Sequence, residues 1–505
     1  MILKSFLQSR IKSKLKGYRI VINQPDSSKP KCVQSAGNVA IVGGGLAGIG
    51  AASLLAERGF KVTLFERNPY LGGKVGSWDV SLGGGNAIKV DHGFHAFFRH
   101  YYNLRFFMEK VGATEHLKTI DDYLVLAKDR RQFSFKNVET TPVLNILSLA
   151  RNKFFRFRDV LFHPRSWKMG EFLEYDEAKT FDKYDSSSFK EFAREARLPQ
   201  SLQLIFNTFA RAFFAPADKL SAAELMKSFH FFYLSHNHGL LYDYFDTDYQ
   251  EALIQPATRY LNQHNVAIKL NRSVEETRRD NDTFIVESEP FDYLILATDV
   301  VGTKKICANS PWIRTSSDKT YSELMSLKAS DGYAVYRIWL DKRTGDELPV
   351  FIITEKHEIL DSVTLYHQFD RSAAEWADGC GGGVYELHCY ALPAGAFSEA
   401  DVKAAFLAEL HFYFPELQDA KIIYEHLQIR HDFTAFYTNL NKSRPEFTTA
   451  IPNLYFAGDW VKTGIPAMLM EGAYTSGMLC ANNILAKHGL QEEPVHSVPI
   501  RGIFA

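Results

Sequence analysis

Short, continuous apolar runs, rather than long alternating ones, mark the buried strands of this chain. Residues 39–42 form the first run, a helix-like stretch follows at residues 46–55, and residues 61–65 form the second run. Apolar strands joined by a helix predict a parallel sheet with a right-handed crossover. Residues 291–297 and 453–457 have the same character, and we predict that they are further buried strands.

The remaining segments have other patterns. Residues 111–246 are predicted to be mainly helical. Residues 330–440 alternate strand-like runs, such as Tyr333–Leu340, with a helix near residues 401–412. The 505 residues exceed one ordinary domain. We therefore predict an α/β (α+β) fold in which two domains interleave along the chain.

A glycine pattern separates the first strand from the first helix. It has the form Gly-x-Gly-x-x-Gly, at Gly43, Gly45 and Gly48. Gly43 permits the tight turn, Gly45 lets the backbone approach a pyrophosphate, and Gly48 lets the helix pack close to the strand. Leu46 and Ala47 begin the helix, whose free N–H groups and dipole can hold the pyrophosphate. The pattern predicts a Rossmann-like dinucleotide site.

Glu66 stands at the end of the second strand. A carboxylate in that place accepts hydrogen bonds from both ribose hydroxyls and repels a 2′-phosphate. The acid completes the context that a dinucleotide fingerprint requires, but it does not separate FAD from NAD.

Four further segments identify the dinucleotide as FAD by resemblance. Residues 66–74 resemble the extended motif of the FAD-dependent amine oxidase and phytoene desaturase superfamily, and residues 453–477 resemble its C-terminal flavin motif. Residues 266–274 and 291–299 resemble the segments on the adenine side. The resemblance implies an amine oxidase-like FAD domain of the glutathione-reductase type. The residues that it assigns to FAD are Arg67, Gly72, Gly73, Lys74, Val274, Ala297, Thr298, Gly458, Asp459, Met470 and Glu471.

The segment 89–104 narrows the resemblance to the carotenoid-modifying branch of that superfamily. It is most similar to the isorenieratene synthase type, also called carotene desaturase/methyltransferase, and residues 466–471 and 495–502 are similar as well. The resemblance implies oxidation of a hydrophobic polyene, as carotenoid desaturation or ring aromatisation, with hydride transfer to flavin N5. The residues of this segment that it places at the flavin are Asp91, His92 and Gly93.

Cation chemistry on a polyene needs a dry pocket lined by aromatic rings. The chain has 39 Phe and 24 Tyr, with clusters at residues 97–98, 101–102, 213–214 and 229–233. For any single ring, the alternative is an ordinary place in the core.

His95 is the candidate catalytic residue. A base is needed if the substrate loses a proton, and a histidine suits that task. His92 and His95 both lie in the segment expected near the flavin. A structural hydrogen bond is the alternative for each, and we favour it for His92.

The resemblance divides the chain into a discontinuous FAD domain and an interleaved substrate domain. We predict a basic N-terminal segment and linker at 1–35, the FAD-binding domain at 36–110, 247–300 and 445–490, the substrate domain at 111–246 and 301–444, and a C-terminal tail at 491–505.

Net charge and cysteine content limit the kinds of ligand and partner that this protein can bind. The formal net charge of −1 gives no field that attracts nucleic acid, so no nucleic-acid partner is predicted. The five cysteines are scattered and form no Cys-x-x-Cys or Cys-x-His pair, so we predict reduced thiols and no metal site. Electrons must then leave the flavin for a separate acceptor: a quinone, oxygen or a redox protein.

The first 20 residues carry six Lys or Arg and no acid, with apolar residues at roughly helical spacing. This pattern favours a basic amphipathic helix on an anionic membrane surface, and residues 151–168 are a second candidate. We therefore predict a cytoplasmic protein, peripheral on the membrane. A transit peptide with organellar targeting and a solvated tail are the alternatives.

Two other functions stay open at this stage. One is an amine oxidase-like flavoenzyme with a soluble substrate. The other is a non-catalytic prenyl-binding relative, against which the FAD motifs at both ends of the chain argue.

Overall fold

A five-stranded parallel sheet (the parallel sheet) carries the glycine-rich turn. Its strands, in spatial order, are Ala267–Lys269, Lys61–Phe65, Asn38–Val42, Tyr293–Leu296 and Leu454–Phe456. All four pairings are parallel. The apolar runs predicted as buried strands therefore meet in one sheet, although they are widely separated along the chain.

The structure is a computed structural model that describes residues 9–11, 13, 19–33, 37–81, 87–154, 166–198, 203, 213–237, 239–355, 357–393, 395 and 398–505. Its α-helices of six or more residues are Leu46–Glu57, Tyr102–Lys110, Leu144–Arg151, Glu177–Tyr184, Phe189–Glu195, Ala222–Phe229, Gln255–Gln263, Val300–Asn309, Pro311–Ser316, Asp318–Ser326, Arg371–Cys380, Glu399–Tyr413 and Leu469–Lys487. Much of the predicted N-terminal helix and of residues 151–168 lies outside the described residues. No helix among the described ranges combines the length and the hydropathy needed to cross a bilayer.

Two helices pack very close together on one side of the parallel sheet. A Cβ atom at Gly477 would overlap the carbonyl oxygen of Ala47, and one at Gly50 would lie 2.8 Å from the carbonyl oxygen of Tyr474. Glycine at these crossings therefore lets helix Leu469–Lys487 support the helix that follows the glycine-rich turn.

A seven-stranded sheet forms the second structural centre. Its strands, in spatial order, are Ile422–Arg430, Tyr333–Leu340, Gly383–Cys389, Ser362–Leu365, Phe351–Thr354, Leu124–Leu126 and Gln132–Ser134. One face is apolar and packs through Tyr336 and Leu387 onto Phe406 and Leu410 of helix Glu399–Tyr413. The opposite face is also buried, but it carries polar side chains.

Residues 111–246 contain more strand than the sequence indicated. Helices are present, but Leu117–Thr119 and Tyr242–Phe245 pair in a small antiparallel sheet, and Leu124–Leu126 joins the seven-stranded sheet. Runs of three or four residues are too short to show a period, and their partners are distant in the chain. Helix still exceeds strand among the described residues of this segment, so the expectation of a mainly helical segment is confirmed and only these short strands were missed.

The helices between residues 300 and 326 pack on the parallel sheet. Ile306 and Leu324 share a core with Leu294 and Phe456 of that sheet. This packing argues for placing residues 300–326 with the FAD domain rather than with the substrate domain. The predicted domain boundaries otherwise stay a prediction.

Candidate functional site

A cavity of about 560 Å³ lies between the parallel sheet and the polar face of the seven-stranded sheet. Seventeen of the predicted site residues line it: Gly43, Gly45, Leu46, Ala47, Glu66, Arg67, Gly72, Gly73, Lys74, His92, His95, Val274, Ala297, Thr298, Gly458, Asp459 and Met470. Gly48, Asp91, Gly93 and Glu471 do not line it. Motifs from both ends of the chain thus meet around one space.

The glycine-rich turn has the geometry that its sequence predicts. Gly43 has a φ of +114°, and a Cβ there would lie 2.5 Å from the carbonyl oxygen of Ala297. A Cβ at Gly48 would overlap the carbonyl oxygen of Gly43, so Gly48 serves helix packing and not the cavity wall. Gly45 differs, because the nearest atom to a Cβ there is Cα of Gly73, at 3.9 Å.

The turn also leaves room and hydrogen-bond donors for a pyrophosphate. Gly45 precedes helix Leu46–Glu57 and offers no side chain to cap it, and the first turn holds no acid. The first N–H groups of a helix have no partner within the helix and form a positive pole. The open space at Gly45 and this uncapped helix end together fit the diphosphate of FAD.

Glu66 is fixed at the end of its strand by two backbone N–H groups. Gly44 donates to Oε2 and Asn68 donates to Oε1, each at 2.8 Å. Each carboxylate oxygen keeps acceptor capacity beyond these bonds. Glu66 is therefore fixed at the strand end with acceptor capacity left for ribose hydroxyls.

The C-terminal flavin motif reaches the same cavity. Gly458 has a φ of +152°, and its N–H donates to Oγ of Ser476 at 2.8 Å. Oδ1 of Asp459 accepts a hydrogen bond from Oγ1 of Thr434 at 2.8 Å. This second glycine turn presents the Asp459 carboxylate on the wall that the glycine-rich turn also lines.

The predicted contact of Glu471 with FAD is wrong, because Glu471 does not line the cavity. Its carboxylate accepts hydrogen bonds from the N–H groups of Asn103 and Leu104 at 2.9 and 3.0 Å, and from the Asn103 amide at 2.9 Å. Glu471 thus caps helix Tyr102–Lys110 instead of facing the cavity. The partners lie more than 360 positions away in the sequence, so no local pattern reveals them.

We expect the Glu471→Gln variant to unfold at a lower urea concentration than the wild type. The amide replaces one acceptor oxygen with an N–H group that faces donors, which costs about 1–3 kcal/mol of unfolding free energy. Glu399→Gln is a matched control, because Glu399 also lies in the first turn of a helix but is exposed. Equal unfolding midpoints for the two variants would contradict the capping role.

The predicted flavin contacts of Asp91 and Gly93 are also wrong, because neither residue lines the cavity. Oδ1 of Asp91 accepts hydrogen bonds from the Gly93 N–H at 2.8 Å and from the Arg337 guanidinium at 3.0 Å. Burial, and then the charge of Glu386, raises the pKa of Asp91 to about 7 although Arg337 opposes this. Asp91 therefore shapes the segment that carries His92 and His95 without contacting the cavity.

His92 lies on the cavity wall as a neutral ring. It packs edge-on against Trp78, with ring centroids 4.9 Å apart. Its buried Nδ1 has no hydrogen-bond partner among the described residues. Burial, and then the charge of Arg430, lowers its pKa to about 3. The structural hydrogen bond favoured from the sequence is therefore not seen at Nδ1.

His95 is oriented by two contacts. Its backbone N–H donates to the Tyr249 hydroxyl at 2.8 Å, and its ring Nδ1 lies 2.6 Å from the carbonyl oxygen of Gly93. A carbonyl only accepts, so Nδ1 carries the proton and Nε2 is an acceptor. Burial lowers the pKa of His95 to about 4, which keeps the ring neutral near pH 7.

Aromatic rings share the cavity wall with His95. Of the predicted clusters, Phe98, Tyr101, Phe214 and Phe232 line the cavity. Three of their neighbours in sequence lie instead in the hydrophobic core: Phe97, Phe213 and Phe231. For these rings the alternative of an ordinary core position holds. Sequence reasoning missed further lining rings from strands and loops distant in the chain, among them Tyr123, Tyr242, Phe351, Tyr390 and Phe433.

This fold and this cavity define a class: a flavoprotein with a Rossmann-like FAD domain and a second, mixed domain over the flavin site. A family model described as flavin containing amine oxidoreductase matches residues 46–485. The chain belongs to this family. FAD is therefore its cofactor and the protein is an oxidoreductase, which sets aside the non-catalytic prenyl-binding alternative.

Curated relatives lie in the predicted carotenoid-modifying branch. A carotenoid phi-ring synthase of Streptomyces griseus is 34% identical over 473 residues, covering 92% of this chain and 90% of that protein. A second one, of Chlorobaculum tepidum, is 27% identical and covers 92% and 91%. A 15-cis-phytoene desaturase of Arabidopsis thaliana is 23% identical and covers 90% and 80%. The predicted resemblance is confirmed.

Solved structures agree on the fold. A putrescine oxidase bound to putrescine matches with a TM-score of 0.63 at 15% identity, covering 90% of this chain and 100% of that chain. A putative protoporphyrinogen oxidase from Exiguobacterium matches with a TM-score of 0.58 at 16% identity, covering 90% and 100%. The predicted α/β FAD-binding fold is confirmed.

Proposed function

We propose that this protein oxidises a carotenoid, by desaturation that together with a methyl shift leads to an aromatic end ring. The observation that carries the proposal is the continuous cavity, whose wall combines the FAD motifs with a set of aromatic rings. The names of the two phi-ring synthases support the same substrate class. Bound FAD supplies the two-electron oxidation, with hydride leaving an allylic carbon of the polyene.

The walls of the cavity suit a substrate that becomes positively charged. Phe98, Phe232 and Phe433 present ring surfaces that exclude water and favour a passing cation. His95 lines the same space, with Nε2 as an acceptor and the ring neutral, so we propose it as a base for a proton that the cation loses.

Two features of the surroundings belong to the same proposal. We propose a separate electron acceptor, a quinone, oxygen or a redox protein, because the dispersed cysteines offer no iron–sulfur motif. We also propose peripheral contact with the membrane where a polyene resides, which the basic, acid-free composition of residues 1–20 supports.

Expression in cells that accumulate β-carotene or lycopene tests the function. We expect carotenoids with more double bonds or an aromatic ring, detected by chromatography, absorption and mass, together with FAD bound to the purified protein. The Gly45→Val variant, expected to lack FAD, is the matched control and should leave the pigments unchanged. Bound FAD with unchanged pigments, and flavin reduction by a soluble amine, would favour the amine oxidase-like alternative instead.

A further inference from the structure

The face of the seven-stranded sheet below the cavity is polar although it is buried. Arg337 and Glu386 are cross-strand neighbours on this face, and His388 lies two residues beyond Glu386 on the same face. The side chains of Arg337, Glu386 and His388 are 7%, 1% and 4% exposed. Burying charged groups costs free energy unless they are paired, so a polar face beneath a cavity points to a functional role.

Glu386 connects this sheet to the segment that carries His95. Its Oε2 accepts a hydrogen bond from Nε of Arg337 at 2.8 Å, and its Oε1 accepts one from the N–H of Phe94 at 2.9 Å. The same Oε1 lies 3.0 Å from Nε2 of His388. The charge of Arg337 and the contact with His388 hold the pKa of Glu386 at about 2 in spite of burial.

The charge of Glu386 favours one of the two ring nitrogens of His388 as the proton acceptor. Nε2 of His388 lies 3.0 Å from Oε1 of Glu386 without an aligned hydrogen bond, so the carboxylate favours a proton on Nε2 through its charge alone and leaves Nδ1 as the acceptor. His388 also lines the cavity, beside the lining ring of Tyr390, whose centroid lies 5.6 Å from that of His388.

We propose that His388 takes a proton from the end group of the polyene and that Glu386 is its positioning residue. The inference rests on the proposed function and deepens it. After hydride has left for the oxidised flavin, a C–H bond next to the cationic carbon breaks. Its electron pair forms the new double bond, and the proton goes to Nδ1 of His388.

A second base agrees with the chemistry of the proposed reaction. A ring that becomes aromatic passes through more than one desaturation, and each desaturation releases one hydride and one proton. His95 and His388 both line the cavity beside Gly93: the Gly93 carbonyl oxygen lies 2.6 Å from Nδ1 of His95, and a Cβ at Gly93 would lie 2.9 Å from the ring of His388. Two histidines on one wall can therefore serve successive proton losses from the same end group.

Replacement of His388 by alanine tests the inference in the purified, FAD-loaded enzyme, with β-carotene in detergent micelles and a quinone as acceptor. We expect kcat to fall by about 100-fold or more, as for other lost bases, and added imidazole to restore part of it. His426→Ala is the matched control. His426 lies opposite Arg337 on the same face but does not line the cavity, so turnover should stay within about twofold of the wild type.

Glu386→Gln tests the positioning role separately. The amide keeps the shape of the side chain but removes the charge beside His388, so we expect kcat to fall with KM unchanged. If this variant does not fold, His388→Ala still decides the matter. FAD content and melting temperature are measured for every variant.

The possible outcomes are distinguishable. If His388→Ala is as active as the wild type, or is impaired but not rescued by imidazole while FAD content and melting temperature are normal, the role of His388 is overturned and the proposed function stands. A wild-type enzyme that holds FAD but changes no carotenoid overturns the proposed function and the role of His388 together.

Discussion

The Gly45→Val variant is expected to fold normally and to lose FAD. Gly45 has a φ of −76°, which any residue adopts, and a Cβ there would approach no atom closer than Cα of Gly73, at 3.9 Å. The side chain would nevertheless project at the uncapped N-terminus of helix Leu46–Glu57, where we propose that the diphosphate of FAD binds. The valine side chain thus fills space that FAD needs, and it clashes with no atom of the protein.

We expect the dissociation constant for FAD to rise by at least about 100-fold, equivalent to about 2.7 kcal/mol. Flavin absorbance after gel filtration and titration of the apoprotein with FAD measure this loss. Gly379→Val is the control, because a Cβ added at Gly379 would also meet open space, but Gly379 does not line the cavity. A Gly45→Val protein that retains FAD with wild-type affinity would contradict the placement of the diphosphate.

The glycine-rich turn could be predicted because its information is local. The roles of Gly43 and Gly48 follow from the strand–turn–helix geometry, and the structure shows the crowding that each role implies. The same holds for Glu66, whose strand end is visible in the apolar pattern. Motifs that combine a strand, a turn and a helix are therefore readable from sequence.

Asp91 and Glu471 could not be placed in this way, because long-range partners determine their orientation. Arg337 holds Asp91 from a strand 246 positions later, and the N-terminus of helix Tyr102–Lys110 holds Glu471. His388 was missed for a related reason. It stands in a continuous buried strand, and only the sheet register and the tertiary fold place it beside Glu386 and below the cavity.

The second large effect is expected for Arg337→Gln, which removes the only guanidinium or ammonium group that pairs with Asp91 and Glu386 among the described residues. Both carboxylates are buried, and their side chains are 5% and 1% exposed. Loss of one partner from a buried ion pair leaves an uncompensated charge and costs about 3–5 kcal/mol. We therefore expect a large fall in the free energy of unfolding at pH 7, measured by denaturant titration.

The pH dependence of this fall follows from the two carboxyl groups. The pKa of Glu386 is lower in the folded chain than its ordinary value, so its contribution to stability is present above that value and is lost as the pH falls through the folded pKa. The contribution of Asp91 to stability changes with pH in the opposite direction. Its pKa is raised to about 7, so its contribution is present at acidic pH and is lost as the pH rises through about 7.

The difference in stability between the wild type and Arg337→Gln should therefore be largest near neutral pH and should shrink towards acidic pH. In the variant, protonation at acidic pH removes the charges of the carboxylates that have lost Arg337. In the wild type, it removes the stabilisation that Arg337 gives to the charged carboxylate of Glu386. Arg343→Gln is the control, because Arg343 forms an exposed pair with Asp378 at 3.2 Å, worth less than about 1 kcal/mol. An Arg337→Gln protein no less stable than Arg343→Gln, or a loss independent of pH, would show that the buried carboxylates do not depend on Arg337.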